Sequence, residues 1–184
     1  MNVGVLALQG DFEAHRRRLE ELGATAFLVR NAHELDDVDA LVIPGGESTT
    51  FLELLGGDGF DALRRFAAEK PVFGTCAGAI LLARAVENSS QPSLGALDIR
   101  VRRNGYGRQL DSSIRRGMFQ GTPMEMVFIR APKIVAFGDG VEVLANEGDD
   151  VVAVRQGHVL AATFHPELSE DGRMHALLLS MITA

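Results

Sequence analysis

The stretch VFGTCAGAILLA, residues 72–83, contains the single cysteine of this 184-residue chain. It begins with a short apolar run typical of a buried strand and ends with an apolar run that suits a buried helix. Between them stands the pattern G-x-C-x-G, from Gly74 to Gly78, which is typical of a sharp turn from a strand into a helix. We therefore predict a strand, a tight turn that carries Cys76, and a helix.

A turn of this kind suits a reactive cysteine. It holds its central residue in a strained backbone conformation, and the small flanking residues let neighbouring segments of the chain pass close by. The thiol projects from the N-terminus of the helix, where the helix dipole and the free N–H groups favour a thiolate. A lone cysteine is more often a buried core residue, yet the turn favours the interpretation of Cys76 as a nucleophile.

Apolar runs alternate with amphipathic stretches through the first half of the chain. Asp11 is a suitable cap for a helix that Gly23 ends. The other predicted elements are strands at residues 2–8, 25–30, 39–46 and 71–75 and helices near 49–55 and 60–68. This alternation predicts a mostly parallel sheet.

Short strand-like runs follow one another in the second half of the chain, before a final helix near 170–183. These runs lie at residues 98–103, 126–131, 141–147, 151–157 and 159–165. Some of them are expected to form an antiparallel extension of the same sheet. We predict a single α/β domain over residues 1–184, a three-layer sandwich whose central sheet is mostly parallel with an antiparallel extension.

The composition excludes several classes of protein. A formal net charge of −7, with acids and bases interspersed, argues against a surface that binds nucleic acid. With 46% hydrophobic and 23% charged residues the pattern is too polar for a membrane span. A single cysteine makes no internal disulfide, and the start of the chain does not resemble a secretion signal. A reducing cytoplasm is the expected location.

A cysteine nucleophile needs a base, and one of the five histidines is suitably placed. His165 ends the apolar run VLAATF, and Glu167 follows two residues later, across a proline. In an extended chain these two side chains point the same way, so Glu167 can orient the imidazole towards Cys76. The sequence thus predicts a Cys-His-Glu relay. The remaining histidines are expected to be structural or solvated; they are His15, His33, His158 and His175.

The stretch IPGGEST, residues 43–49, suits an oxyanion site. Its two glycines follow a predicted strand and precede a predicted helix, so their N–H groups are free to meet a developing negative charge. The backbone N–H next to the nucleophile is the usual second donor. The predicted oxyanion donors are Gly45, Gly46 and Ala77.

Three of these motifs, PGGEST, GTCAG and FHPE, together resemble the class I, triad-type glutamine amidotransferases, whose fold is flavodoxin-like. A more specific resemblance covers nearly the whole chain and is to the glutaminase subunits of pyridoxal 5'-phosphate synthase. It rests on GVLALQGDFEAH (4–15), PGGESTT (44–50), FGTCAGAILLA (73–83), RNGYGRQLDS (103–112), FIRAP (128–132) and FHPELSED (164–171). Two positions depart from the pattern, Tyr106 and Ser113, and neither belongs to the relay.

The resemblance implies hydrolysis of L-glutamine to glutamate and ammonia without a metal or cofactor. Cys76 attacks the side-chain amide, His165 transfers protons to the leaving ammonia, and Glu167 orients the imidazole. Positive groups and backbone donors suit the α-carboxylate of glutamine, and a carboxylate suits its ammonium group. The residues expected to bind glutamine are Gly46, Glu47, Ser48, Arg103, Ile129 and Arg130.

The resemblance also implies a partner, a (β/α)₈-barrel synthase subunit that consumes the ammonia, with Gln9 and the helix after it at the boundary between the subunits. Two alternatives stay open. One is a glutaminase that feeds another acceptor, such as histidine or purine synthesis, although RNGYGRQ favours the pyridoxal phosphate enzyme. The other is a non-enzymatic thiol sensor or chaperone-like protein of the same fold, which has no need of the FHPE motif.

Overall fold

Helices alternate with strands in the first half of the chain, and strands follow one another in the second half. The computed structural model describes residues 1–106 and 112–182. The strands are β1 (Asn2–Leu6), β2 (Thr25–Val29), β3 (Ala40–Ile43), β4 (Val72–Thr75), β5 (Ala83–Val86), β6 (Leu97–Arg102), β7 (Ser112–Phe119), β8 (Thr122–Ile129), β9 (Lys133–Phe137), β10 (Glu142–Glu147), β11 (Asp150–Gln156) and β12 (Val159–Ala162). The helices are α1 (Phe12–Glu21), α2 (Ser48–Glu69), α3 (Ala77–Leu82) and α4 (Arg173–Ile182), with 3₁₀ turns at Ala32–Asp37 and Pro166–Leu168.

A large sheet carries the site-bearing segments of the chain. Within the described residues it has nine strands in the order β2-β1-β3-β4-β12-β11-β10-β7-β8. The pairs from β2 to β12 are parallel, and the pairs from β12 to β8 are antiparallel. The predicted fold class is confirmed, including the antiparallel extension of the same sheet.

The parallel strands are buried on both faces, because successive side chains of a strand point to opposite sides. In β3, Leu41 and Ile43 pack into one apolar cluster with α2 and α3, whereas Val42 packs into a second cluster. The second cluster includes Leu19 of α1 and Leu178 of α4. Helices therefore cover the two faces of the sheet, as the three-layer prediction requires.

Several element boundaries differ from the sequence predictions. The helical patterns at 49–55 and 60–68 lie in one helical stretch, α2, which is interrupted at Gly56, where φ is 61° and ψ is −177°. The final helix begins at Arg173, and residue 183 of the predicted helix lies outside the described residues. The prediction missed three strands, β5, β7 and β9.

The missed strands explain why the second half was difficult to read. In the described residues, β5 and β9 join β6 in a separate three-stranded sheet, so two strands that were not recognised flank one that was. The first, β5, directly follows α3 within one continuous apolar run. Because buried helices and buried strands are both apolar throughout, periodicity does not separate them there.

The glycines of the G-x-C-x-G turn are required by close contact between backbones. A Cβ atom on Gly78 would overlap the carbonyl oxygen of Ile43 in β3. A Cβ atom on Gly74 would lie 2.6 Å from the backbone of Gly78. The turn therefore packs directly against the neighbouring strand, as the sequence predicted for small flanking residues.

Over the described residues, no helix combines the length and the apolar character needed to cross a lipid bilayer. The longest, α2, spans 22 residues but is interrupted at Gly56.

Substitution of Gly78 tests this close contact. We expect Gly78→Ala to lower the free energy of unfolding by about 3 kcal/mol, because the backbone of β3 must move to admit the methyl group. Gly57→Ala is the matched control, since a Cβ atom there meets no atom within 4 Å, and its effect should stay within about 1 kcal/mol. Urea unfolding of both variants measures the difference, and equal stabilities would contradict the packing argument.

Candidate active site

Three neighbouring strands of the parallel region bring the main sequence motifs together. The strands β3, β4 and β12 lie side by side, and the segments after their carboxyl ends contain Gly45, Cys76 and His165. A Cβ atom on Gly45 would overlap the imidazole of His165 and lie 3.3 Å from Cys76 Cβ. The loop, the thiol and the imidazole predicted from separate motifs therefore meet at one point, at the end of the sheet where α/β proteins bind ligands.

Cys76 has the strained backbone that the turn motif predicts. Its φ is 49° and its ψ is −104°, a conformation that residues other than glycine rarely adopt. Its backbone N–H donates a hydrogen bond of 2.9 Å to the carbonyl of Ala162 at the end of β12. The side chain is 7% exposed and its Sγ lies 3.8 Å from the carbonyl oxygen of Ile129. The turn thus holds the thiol at the edge of the core.

His165 and Glu167 are in direct contact. His165 Nδ1 lies 2.7 Å from Glu167 Oε1, and both side chains are buried. The reasoning that predicted this contact was wrong in one respect, because the chain is not extended here. The strand β12 ends at Ala162, and Glu167 lies in the 3₁₀ turn Pro166–Leu168. The proline begins this turn, and the turn brings the carboxylate back to the imidazole.

The electrostatics of the pair favour an ionised carboxylate and a protonated imidazole. Burial alone lowers the pKa of His165, but hydrogen bonds to Cys76 and Glu167 and the charges of these groups raise it to about 10. Burial alone raises the pKa of Glu167, but His15 and His165 hold it well below its usual range. The site can therefore keep a charged relay in a largely dehydrated place.

An open cavity of about 450 Å³ lies in front of Cys76. A cavity of this volume accommodates a small polar molecule such as an amino acid. Every predicted site residue lines this cavity except Ala77 and Glu167. The lining includes Gln9, Gly45, Gly46, Glu47, Ser48, Arg103, Ile129, Arg130 and His165.

One wall of the cavity is charged. Arg103 donates a hydrogen bond of 2.6 Å to Glu47 Oε1, and Arg130 follows β8 with a positive φ of 42°. Burial alone raises the pKa of Glu47, but hydrogen bonds from Thr49 and the charges of the two arginines lower it. The wall thus presents one carboxylate and two guanidinium groups to the cavity.

The loop before α2 is held by contacts that the sequence did not predict in detail. Ser48 is buried, and its hydroxyl donates a hydrogen bond of 3.0 Å to Gln91 Oε1. Gln9 donates to the Glu47 carbonyl at 2.5 Å and accepts from the Glu47 N–H at 3.3 Å. Gln91 was missed, because no motif marks it. Gln9 lies beside the loop that contains Gly45 and Gly46. Its expected position at a subunit boundary stays a prediction.

The predicted oxyanion donors belong to two segments of the chain next to Cys76. Ala77 is the first residue of α3, directly after Cys76. Gly46 has a φ of 141°, a backbone conformation that residues with a side chain rarely adopt. A Cβ atom on Gly10 would overlap the carbonyl oxygen of Gly45. The Gly45–Gly46 segment therefore lies tightly between Gly10 and the imidazole of His165.

His15 and His175 are buried, as expected of structural histidines, but the sequence analysis did not predict that His15 contacts Glu167. Both are completely buried, and His15 lies 3.3 Å from Glu167 and 2.8 Å from His175. Their signal in the sequence was weak, because each is a lone polar position on the apolar face of a helix. The adjacent Arg16 pairs with Glu13 and Glu20 on the surface, as expected of a solvated face.

The two departures from the family pattern lie away from the relay. Tyr106 packs edge-on against Phe128, with the guanidinium of Arg115 5.3 Å from its ring. The hydroxyl of Ser113 accepts from the same arginine at 3.0 Å. Residues 107–111 of the RNGYGRQLDS motif lie outside the described residues.

The fold is that of the class I glutamine amidotransferases. A solved structure described as a glutamine amidotransferase matches this chain with a TM-score of 0.93 and 46% identity, covering 99% of both chains. The profile of the SNO glutamine amidotransferase family matches residues 5–184, and the chain belongs to that family. The family expected from the sequence motifs is confirmed.

Named relatives narrow the comparison further. The chain is 60% identical to the pyridoxal 5'-phosphate synthase subunit PdxT of Koribacter versatilis (strain Ellin345), covering 99% of this chain and 96% of the relative. It is 50% identical to the PdxT subunit of Brevibacillus brevis, covering 99% of this chain and 97% of the relative. The similarity therefore extends over essentially the full length of both relatives.

Proposed function

We propose that this chain is a glutaminase subunit of pyridoxal 5'-phosphate synthase, in which Cys76, His165 and Glu167 hydrolyse glutamine. The observation that carries the proposal is the meeting of the thiol, the imidazole–carboxylate pair and the glycine loop at one cavity. The assignment to pyridoxal 5'-phosphate synthase is supported by the names of two relatives that match over nearly their whole length. We further propose that residues 1–184 act as one glutaminase domain.

The first half of the reaction forms a thioester. The thiolate of Cys76 attacks the amide carbon of the glutamine side chain, and the carbonyl electrons move to its oxygen. When the oxyanion collapses, the C–N bond breaks, and the His165 imidazolium gives its proton to the departing nitrogen, which leaves as ammonia. The raised pKa of His165 suits this role, because the imidazole carries the required proton before the attack.

The second half returns the enzyme to its starting state. His165, now neutral, removes a proton from a water molecule, whose oxygen attacks the thioester carbon. The C–S bond breaks, glutamate is released, and the thiolate and imidazolium are restored. Glu167 remains ionised throughout and holds the Nδ1–H of His165, which fixes the other ring nitrogen for proton transfer. The N–H groups of Gly45, Gly46 and Ala77 are the proposed donors to the oxyanion.

The charged wall of the cavity suits the amino-acid end of glutamine. The Arg103–Glu47 pair is partly exposed, with 32% and 47% of the two side chains accessible, so its separation costs at most about 1 kcal/mol. Glutamine offers a carboxylate to the arginine and an ammonium to the glutamate, so each partner regains an opposite charge. We propose that Arg103 and Arg130 bind the α-carboxylate and that Glu47 binds the α-ammonium. Gly46, Ser48 and Ile129 complete the glutamine site.

The alternative of a thiol sensor is less consistent with these contacts. A sensor cysteine needs an accessible thiolate and a route to disulfide or sulfenic acid. Here the imidazole beside the thiol is held by a buried carboxylate, an arrangement that a sensor does not need. A substrate cavity with both signs of charge has no purpose in a sensor. The alternative of a glutaminase for another acceptor is disfavoured by the names of the relatives.

Hydrolysis of glutamine releases ammonia, so the proposal includes a partner that uses it. We propose a (β/α)₈-barrel synthase subunit that docks at Gln9 and the adjoining helix α1. Gln9 contacts both backbone groups of Glu47, and therefore a partner that moves Gln9 also moves the loop carrying Gly46. The nucleophilic thiol further requires a reducing compartment such as the cytoplasm.

The triad is tested by substitution of its three members. We expect Cys76→Ala to reduce ammonia release from glutamine at least about 1,000-fold, because no other group forms the thioester. His165→Asn should reduce it comparably, and Glu167→Gln should reduce it less, since the carboxylate orients rather than transfers protons. Turnover is measured with the synthase subunit present.

A glutamine analogue that alkylates thiols provides the control for this experiment. It should label Cys76 in the wild-type chain, and glutamine should protect the site. The melting temperature of Cys76→Ala should match that of the wild type, because a thiol is replaced by a methyl group. Wild-type turnover in a folded Cys76→Ala variant would contradict the covalent mechanism.

The substrate site is tested by removal of its arginines. Arg103→Ala and Arg130→Ala should each raise the KM for glutamine with little change in kcat, at a cost of roughly 1.5–3 kcal/mol for a lost charged hydrogen bond. Arg102→Ala is the matched control, because Arg102 pairs with Glu87 and does not line the cavity. If KM is unchanged in both variants, the α-carboxylate binds elsewhere.

Activation by the synthase tests the proposed docking face. We expect ammonia release at saturating glutamine to rise at least about tenfold when the barrel subunit is added, because a correctly placed oxyanion donor contributes a factor of this size or more. Arg17→Glu on the exposed side of α1 should weaken activation, whereas Arg116→Glu on β7 should not. Equal turnover of the free and partnered chains would refute activation and leave the triad unaffected.

A further inference from the structure

Behind the proposed triad lies a second, completely buried polar group of residues. His15 on α1 and His175 on α4 are both 0% exposed, and the hydroxyl of Thr75 lies beside them at the end of β4. His15 Nε2 is 3.3 Å from Glu167 Oε2 and 3.2 Å from Thr75 Oγ1. His15 Nδ1 is 2.8 Å from His175 Nε2. The residues are therefore linked to the carboxylate that contacts His165.

The two oxygens of Glu167 face different histidines. Oε1 accepts from His165 Nδ1, whereas Oε2 is fully buried and, in the described part of the chain, has no hydrogen-bond partner apart from the His15 contact. A buried carboxylate oxygen without a donor is strongly unfavourable. The position of His15 therefore indicates that its Nε2 carries a hydrogen, which lies between two acceptors, Glu167 Oε2 at 3.3 Å and the hydroxyl oxygen of Thr75 at 3.2 Å.

The state of His175 supports the same direction of donation. Burial lowers its pKa well below the ordinary value, so His175 is a neutral imidazole. A neutral imidazole has one N–H, and His175 Nδ1 is buried with no partner among the described residues. An unpaired lone pair there costs less than an unpaired N–H. His175 accordingly donates from Nε2 to His15 Nδ1.

We propose that His15 is a positioning residue for the glutaminase reaction: it donates from Nε2 to Glu167 Oε2 and so fixes the carboxylate towards His165, while His175 and Thr75 hold its ring and tautomer. This inference rests on the proposed function, because it assigns His15 a part in the same triad. The chain of donation runs from His175 to His15 to Glu167, and the last of these accepts from His165 on its other side.

The rings of His15 and His175 are also held by packing against an aromatic side chain. A variant that keeps this packing therefore tests the polar contacts alone. His15 meets Phe73 edge-on, with ring centroids 6.4 Å apart, and His175 meets the same ring at 5.6 Å. Phe73 belongs to β4, three residues before Cys76. Arg18 of α1 donates to the backbone carbonyl of Ser169 and to Glu21. A phenylalanine at position 15 thus preserves an aromatic ring there and removes only the polar contacts.

The experiment compares His15→Phe with His15→Gln in complex with the synthase subunit. His15→Phe should lower kcat about 10- to 100-fold with KM within about twofold, because a charged hydrogen bond that orients the relay is lost. His15→Gln should recover most of this loss, since its amide N–H can reach the position of Nε2. His158→Phe is the control; it removes a histidine that contacts Ala67 at the opposite end of β12 and should keep kcat.

A double-mutant cycle separates positioning from a purely structural role. If His15 acts through the carboxylate, adding His15→Phe to Glu167→Ala should change kcat by less than about twofold. An equal loss in both backgrounds, or a His15→Gln variant as slow as His15→Phe, would overturn the proposal. If His15→Phe does not fold, His175→Leu replaces it: kcat should fall about 3- to 10-fold in the wild type and remain constant in the His15→Gln background. Equal losses would again overturn the proposal.

A readout without glutamine distinguishes failure of this inference from failure of the proposed function. The rate at which iodoacetamide alkylates Cys76 is followed against pH in the free chain. In His15→Phe the pH of half-maximal alkylation should rise by about one unit, because a less well oriented Glu167 stabilises the His165 imidazolium less. A wild type that hydrolyses no glutamine refutes the proposed function, whereas an unshifted alkylation profile refutes the role of His15.

Discussion

The contact of the Cys76 turn with its neighbouring strands determines the rest of the site. The backbone of Gly78 rests against the Ile43 carbonyl, and the N–H of Cys76 is bonded to the Ala162 carbonyl. These contacts tie the turn to β3 on one side and to β12 on the other. They maintain a φ of 49° at Cys76, a strain that surrounding structure must overcome. The same two strands lead into the glycine loop and into His165, so the packing that strains the turn also assembles the proposed relay.

The second requirement of the site is that the carboxylate of Glu167 stays charged although it is buried away from solvent. Glu167 is 5% exposed, and an isolated charge at such a place is costly. The protein offsets this cost with an imidazole at each oxygen, at 2.7 Å and 3.3 Å. The proposed glutamine-binding end of the site is built differently, since Glu47 and Arg103 are partly exposed and their pairing is readily exchanged. A fixed, buried pair suits a relay, whereas a solvated pair suits a group that has to be displaced by substrate.

Local patterns predicted the parts of the fold and site that depend on local chemistry. These predictions came from short contiguous stretches: the G-x-C-x-G turn, the alternating strands and helices, and the family motifs. The family and the fold that they predicted are confirmed. The strand β5 was missed because it continues an apolar helix without a break. His15 and His175 were set aside because His15 lies 152 residues from Glu167 and 160 residues from His175 along the chain, and only the packing of α1 and α4 brings them together. The His165–Glu167 contact was predicted with the wrong local geometry, since a 3₁₀ turn produces it.

Helix α1 links two parts of the site that the sequence treats as separate. At its N-terminal side, Gln9 holds both backbone groups of Glu47, next to the glycine loop. On its buried face, His15 contacts the carboxylate that holds His165. Gln9 lies three residues before the start of α1, so a displacement of the helix that the connecting residues transmit changes the contacts at both places. This region therefore connects the proposed docking face with the loop that we propose stabilises the oxyanion and with the carboxylate that we propose orients His165, and neither connection requires the partner to reach the cavity itself.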